Sequence, residues 1–346
     1  MKREVYIGDV GIGGNHPVSI QSMTSTPTED IGATLSQIHA LKNAGCDIVR
    51  VAIPKRNTIT AFRKILSGSP LPIIADIHFD PHLALMAIET GVPGIRINPG
   101  NIGDKKNLTD ILNLANQGTT VIRIGVNAGS LEKSVRSGRD SRAEKMVESA
   151  LTWLKFFEDQ DFFRTKISLK SSNVRETIQA YRMIDRQCDY PLHLGITEAG
   201  PLLNGTVKSA IGIGALLLEG IGNTIRVSLT DDPTREVRVA KIILNTLGIR
   251  DMDYEIISCP TCSRTTIDLI TMVKQVEEHL QKHPPIKKFK VAVMGCEVNG
   301  PGEAMDADIG LAFSQDHGYI FKKGEKIEKI APEKALNRLL ELIKKM

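Results

Sequence analysis

Along the first two-thirds of the chain, short β-branched runs alternate with longer stretches whose apolar positions recur at helical spacing. The runs fall at 17–21, 47–53, 72–77, 94–98, 119–126, 165–169, 191–196 and 223–229, each the length of a strand. A helix-like segment follows each one. After the first, Ile31, Thr34, Leu35, Ile38 and Leu41 form one apolar face, closed by Gly45. Asp232-Pro233, ahead of Val237, Ala240 and Ile243, supplies an N-cap and a proline at the first helical position. Eight β–α units over about 245 residues have the size and rhythm of a closed parallel (β/α)8 TIM barrel. A doubly wound open sheet would give the same alternation, but eight regular units favour closure.

After 247–251 the rhythm changes. A strand is expected at 254–258, a helix at about 264–279 with Ile267, Ile270, Val273, Val276 and Leu280 on one side, and a strand at 290–294 beyond the basic linker 282–288. Two short strands near 308–313 and 319–322 and a last helix at about 332–344 complete a separate α+β module. The predicted organisation is therefore a barrel over 1–250 and a smaller α+β domain over 251–346. No repeat is visible beyond the β–α unit, and no low-complexity tract.

Composition narrows the class. The 346 residues are 41% hydrophobic and 24% charged, as expected of a soluble globular protein with room for two domains. Residues 1–10 carry no apolar run of the signal-peptide kind. The most apolar stretch, 210–221, is broken by Gly212, Gly214, Glu219 and Gly220 and is too short to span a membrane. Five cysteines, an odd number, argue for a reducing compartment over a disulfide framework, hence a cytoplasmic protein. A net charge of +4 with 4% aromatic residues and no basic stripe makes nucleic acid an unexpected partner.

Three of the cysteines are spaced like ligands: Cys259 and Cys262 in Cys-Pro-Thr-Cys, and Cys296 in Met-Gly-Cys-Glu-Val-Asn-Gly-Pro-Gly-Glu. Structural zinc usually closes with a fourth Cys or a His. Here the nearest further candidate is the carboxylate of Glu303. Three thiolates and one exchangeable hard ligand suit an iron–sulfur cluster with one iron open to substrate, whereas an electron-carrying cluster is more often closed by four thiolates. Spacing alone leaves a zinc knuckle or a redox dithiol open. Cys46 and Cys188, at helix-to-strand joins, read as buried small hydrophobes.

Four barrel strands carry an arginine on the same beat: Ile48-Val49-Arg50-Val51, Gly94-Ile95-Arg96-Ile97, Val121-Ile122-Arg123-Ile124 and Thr224-Ile225-Arg226-Val227. A charge is costly inside a packed barrel, so the expected place is the mouth at the strands' C-terminal ends, where active sites of this architecture lie. Convergent guanidiniums suit a ligand with several phosphoryl oxygens. Lys170 and Ser228 extend the set. Asp76 and His78, Asn98, Asn127, and His193 with Glu198 follow at other strand ends. Neither Gly11-Ile12-Gly13-Gly14 nor Gly212-Ile213-Gly214 completes a dinucleotide fingerprint, and there is no P-loop. Electrons for any reduction must then come from a separate carrier.

The cysteine motifs, with Leu194-Gly-Ile-Thr-Glu198-Ala-Gly and Ile95-Arg-Ile-Asn-Pro-Gly100, resemble those of the 4-hydroxy-3-methylbut-2-enyl diphosphate synthase family. These are iron–sulfur enzymes of the non-mevalonate isoprenoid pathway. The resemblance runs through nearly the whole chain and matches the compact two-domain bacterial form. It implies reductive ring opening and dehydration of 2-C-methyl-D-erythritol 2,4-cyclodiphosphate to the allylic hydroxy diphosphate. It also implies a [4Fe–4S] cluster on Cys259, Cys262, Cys296 and Glu303. Arg50, Arg96, Arg123, Lys170 and Ser228 would hold the diphosphate, with Asn98, His193 and Asp76 in the substrate site and Asn127 and Glu198 beside the reacting carbons. A flavodoxin or ferredoxin donor and a homodimer are implied as well. The rival reading is a zinc-stabilised barrel acting as a lyase or transferase on a phosphorylated metabolite.

Overall fold

The computed structural model describes residues 2–131, 140–285, 287–296 and 304–346. It divides into two compact units, Met1–Arg250 and Asp251–Met346.

The first unit is a (β/α)8 barrel. Its strands are β3 (Ser19–Met23), β4 (Ile48–Ala52), β5 (Ile73–Asp76), β6 (Gly94–Ile97), β7 (Val121–Asn127), β8 (Thr165–Lys170), β9 (His193–Leu194) and β10 (Thr224–Ile225). They pair in parallel in the order β8-β7-β6-β5-β4-β3-β10-β9, and a parallel bridge between Ile167 and Leu192 joins the two ends of the sheet. Each strand leads to one helix: α1 (Ile31–Ala44), α2 (Ile59–Gly68), α3 (Pro81–Glu89), α4 (Lys105–Asn116), α5 (Arg142–Glu158), α6 (Val174–Asp185), α7 (Leu202–Leu218) and α8 (Pro233–Thr246). Local chemistry fixes the helix starts. The Asp30, Asp80, Asp104 and Asp232 side chains each accept a hydrogen bond from a first-turn N–H, and Ser141 and Glu144 form a capping box.

Strand alternation sorts the side chains into two layers. Val49, Val51, Ile95, Ile97, Ile122, Ile124, Ile167 and Leu169 belong to the continuous apolar core shared with the helices. The intervening residues turn inward. The lowest inward layer is apolar: Ile48, Ile74 and Val121 pack against Val5, Ile7 and Ile12. Those three come from an antiparallel hairpin, β1 (Val5–Ile7) and β2 (Val10–Ile12), that closes the N-terminal end of the barrel. This hairpin does not figure in the sequence expectations.

The second unit is a five-stranded mixed sheet, β11 (Tyr254–Ser258), β12 (Phe289–Met294), β13 (Ile309–Phe313), β14 (Gly318–Lys322) and β15 (Glu325–Ile330), in sequence order. The first three strands are parallel and the last two antiparallel. Helices α9 (Leu269–Lys282) and α10 (Pro332–Ile343) bury Val276, Leu280, Leu339 and Ile343 on one face of the sheet. A smaller cluster of Ala292, Met294, Ala304, Ala307, Ala312 and Phe321 covers the other. Helix α9 begins at Leu269 rather than 264, because Asp268 caps it through Thr271 N–H and the preceding residues turn. Strand β15 is additional to the expected set.

Candidate active site

Above the apolar floor the barrel interior is polar. Across adjacent strands Asp76 pairs with Arg96, Arg96 with Arg123, and Arg123 with Lys166. Arg50, Arg96 and Arg123 thus lie inside the barrel rather than at its mouth, at 8%, 6% and 1% exposed beside the fully buried Lys166 and His193, while Arg226 is half-buried. The expected mouth position presumed an aliphatic interior. Two glycines make room for the charged one. A Cβ on Gly125 would stand 2.8 Å from Arg96 Nε, and one on Gly195 would stand 2.6 Å from both Lys170 Nζ and the Arg226 carbonyl.

Partners among these groups are unequally shared. Asp76 lies 3.7 Å from Arg50 Nε, 3.5 Å from Arg96 Nη1 and 3.4 Å from His78 Nε2. Arg226 Nε is 3.5 Å from Glu236, which also accepts hydrogen bonds from Ser22 Oγ and Leu229 N–H. Arg50 donates to Met23 Sδ at 3.0 Å. Among the described residues, Arg123 Nε and Nη1, Lys166 Nζ and both His193 ring nitrogens have no hydrogen-bond partner. Six basic side chains (Arg50, Arg96, Arg123, Lys166, Lys170 and Arg226) thus share one interior with the carboxylates of Asp76 and Glu236 among the described residues.

The electrostatics follow from that imbalance. Burial alone works to raise the Asp76 carboxyl, but Arg50, the His78 hydrogen bond and Arg96 hold it well below the usual carboxylate range. Burial, then the neighbouring guanidiniums, pushes Arg123, Lys166, Lys170 and His193 well below their ordinary values. A guanidinium keeps its proton in a protein, so the adjustment falls on the two amines and the imidazole. An unpaired buried ion costs several kcal/mol, against ~1.5–3 kcal/mol contributed by each buried aliphatic side chain.

Tyr181 of α6 holds the seam where β8 meets β9. Its hydroxyl accepts from Leu169 N–H at 3.0 Å and donates to the His193 carbonyl, which fixes the backbone carrying Lys170 and His193.

The rim holds the remaining candidates. A cavity of about 580 Å³ is lined by Asn127, Arg142, Lys145, Ser171, Thr197 and Glu198, among others. Asn127 at the end of β7 and Glu198 after β9 therefore meet at one pocket. Glu198 is exposed and holds φ +51, and Phe79 after β5 holds φ +63. Left-handed backbone at a bulky residue is strained and clusters at functional sites. Asn98 lies 9% exposed after β6, where its side chain accepts from Gly100 N–H at 3.2 Å, so it also shapes its own turn. Ser228 is half-buried, two residues beyond Arg226.

In the second unit, the parallel pairing of Ser258 with Val293 brings the ends of β11 and β12 together. Cys259 and Cys296 follow those ends, and Gly295 N–H donates to Cys259 Sγ at 3.3 Å. Cys262 is exposed; hydrogen bonds from the Arg264 backbone and guanidinium draw its thiol below the ordinary value. Backbone N–H groups and cations directed at thiolates are what a thiolate-ligated cofactor requires. Among the described residues no group of three or more His, Cys, Asp or Glu stands close enough to hold a metal ion, and Glu303 lies outside the described residues. All five cysteines are free. Cys46 is buried, donates to the Ile48 carbonyl and is pushed up to about 12, chiefly by burial; Cys188 is half-buried.

Several residues here escape the sequence expectations, among them Lys166, Arg142 and Lys145. Lys166 was legible, because it shares an inward face with Ser168 and Lys170. Arg142 and Lys145 sit in the first turn of α5, where cations are too common to mark a site.

Comparison with known proteins gives the family. The model of the GcpE TIM-barrel domain matches residues 2–241, and that of the GcpE protein C-terminal domain matches residues 255–345. The 4-hydroxy-3-methylbut-2-en-1-yl diphosphate synthase (flavodoxin) of Lawsonia intracellularis is 52% identical, covering 99% of this chain and 96% of its own. The enzyme of the same name from Clostridium acetobutylicum is 51% identical, covering 99% and 98%. Among solved structures, dihydropteroate synthase of Yersinia pestis aligns with 72% of this chain and 100% of its own at TM-score 0.52 and 9% identity, a likeness of fold alone. No helix among the described residues is long and apolar enough to cross a membrane. With both domain models matched in order and half of all positions shared with curated members, the chain belongs to the GcpE family.

Proposed function

We propose that this chain is the oxidoreductase that opens 2-C-methyl-D-erythritol 2,4-cyclodiphosphate reductively and removes water, giving 4-hydroxy-3-methylbut-2-enyl diphosphate for isoprenoid biosynthesis. The observation that carries this reading is the surplus of buried cations in the barrel. Two linked phosphoryl groups supply acceptors to Arg123 and negative charge to a set in which Arg50, Arg96, Arg123, Lys170 and Arg226 outnumber Asp76 and Glu236, and Ser228 extends the set toward the rim. Asp76 and His78 hold Arg96 in place, and Asn98 and His193 flank the same interior. The relatives' names carry the same activity.

Cys259, Cys262, Cys296 and Glu303 would hold a [4Fe–4S] cluster, which supplies electrons one at a time and a Lewis-acidic iron. Flavodoxin is the donor, in keeping with the relatives' names. Asn127 and Glu198 border the rim cavity, where Glu198 gives a proton to the departing hydroxyl and Asn127 orients it. The five free cysteines suit a reducing, cytoplasmic setting. Protein purified without oxygen should be brown, bleach with dithionite, and convert the cyclodiphosphate when given a one-electron reductant. Glu198→Gln should bind substrate with nearly unchanged affinity yet turn over poorly. A colourless, inactive protein containing one zinc would refute the reading.

The protein acts as a homodimer. Support comes from an exposed apolar stripe on α7: Leu203, Val207, Ile211 and Leu218 are 75%, 51%, 55% and 73% exposed and fall on one side of the helix. Ile211→Glu should convert the dimer to monomers in sedimentation velocity; an unaltered dimer would place the interface elsewhere.

A further inference from the structure

One fully buried basic group of the barrel, Lys166, has no role in the reading above. Lys166 stands opposite Arg123 across the β7–β8 pairing, four residues below Lys170 on the same inward face. Its side chain is fully buried, and its Nζ has no hydrogen-bond partner among the described residues. The charged groups acting on it are both basic, Arg123 from β7 and Arg50 from β4, and Lys166 in turn acts on His193 from β9. Asp76, the carboxylate on the same level, already faces Arg50, Arg96 and His78. An ammonium in that position would be desolvated, unpaired and repelled by two guanidiniums that cannot give up their own protons.

We propose that Lys166 is the floor of the anion site, an amine that is neutral in the unliganded barrel and takes up a proton when the cyclic diphosphate enters. This rests on the proposed substrate. The ligand brings negative charge and acceptor oxygens that Lys166 Nζ lacks among the described residues, so the ammonium becomes the stable form only in the complex. Binding and protonation are then linked: affinity falls as pH rises through the range in which the free cavity has already lost the proton. The unliganded protein carries the opposite signature. The unfolded chain holds the Lys166 proton up to an ordinary lysine value of about 10.4, while burial keeps the folded amine well below that. The unfolded state therefore binds more protons, and stability rises with pH between the two values.

The test is calorimetric titration of the anaerobic, cluster-loaded protein with the cyclodiphosphate, without reductant, in buffers of different ionisation enthalpy at pH 7.5–8.5. Each phosphoryl group of this ligand carries a single acidic oxygen that stays ionised throughout, so any proton taken up enters the protein. Wild-type protein should take up protons on binding, and Lys166→Met should take up about one fewer while its pH-dependent rise in melting temperature flattens. His193→Gln should retain the Lys166 share of the uptake. Uptake that is unchanged in a folded Lys166→Met protein, or absent in the wild type, overturns the inference and leaves the substrate assignment standing. Absence of binding overturns both.

Discussion

Cys296→Ser should leave a folded protein that contains no cluster and does not turn over. The serine is close in size, so the buried end of β12 and the alanine-rich cluster beneath it keep their packing. A serine hydroxyl does not ionise near neutrality as a thiol does, and it is a poor ligand for iron held by sulfur. Iron content and visible absorbance after anaerobic reconstitution should both collapse, together with substrate conversion. Cys188→Ser is the control. That thiol is half-buried at a helix-to-strand join in the barrel unit, and its loss should leave absorbance and turnover intact. A Cys296→Ser protein with full absorbance would remove this residue from the ligand set.

Arg123→Met should weaken binding of the cyclodiphosphate severely while leaving the protein as stable as before, or more so. The guanidinium is fully buried and has two nitrogens without partners among the described residues. A buried charge without a partner carries an uncompensated desolvation penalty, so exchanging it for an apolar group of similar volume should be neutral or stabilising. Two charge-assisted hydrogen bonds to phosphoryl oxygen contribute ~1.5–3 kcal/mol each, so their loss should raise Kd by about 10²–10⁴-fold. Titration calorimetry and thermal unfolding on the same variant read the two signs. A lower melting temperature with unaltered Kd would make Arg123 a structural residue.

Much of the barrel was legible because its signal is repetitive. Eight apolar runs, each followed by a helix with an identifiable start such as Asp232-Pro233, leave few alternative architectures. The hairpin at Val5–Ile7 and Val10–Ile12 was not legible, since strands of three residues carry too few apolar positions to show a period. Strand β15 alternates lysine and glutamate with isoleucine on an exposed sheet edge, where charge is the normal protection against further pairing, and so it reads as loop. The arginines announced themselves by position, but their depth did not. Whether a barrel interior is aliphatic or charged depends on facing strands together, and on residues such as Gly125 and Gly195 that look like ordinary strand glycines in isolation. The cysteine motifs were the clearest chemical signal.

The hairpin against Ile48, Ile74 and Val121 acts as a stopper. Among the described residues it closes the end of the barrel opposite the rim cavity. Loosening the stopper should therefore let solvent reach the buried amine of Lys166 from below while leaving the rim residues in place.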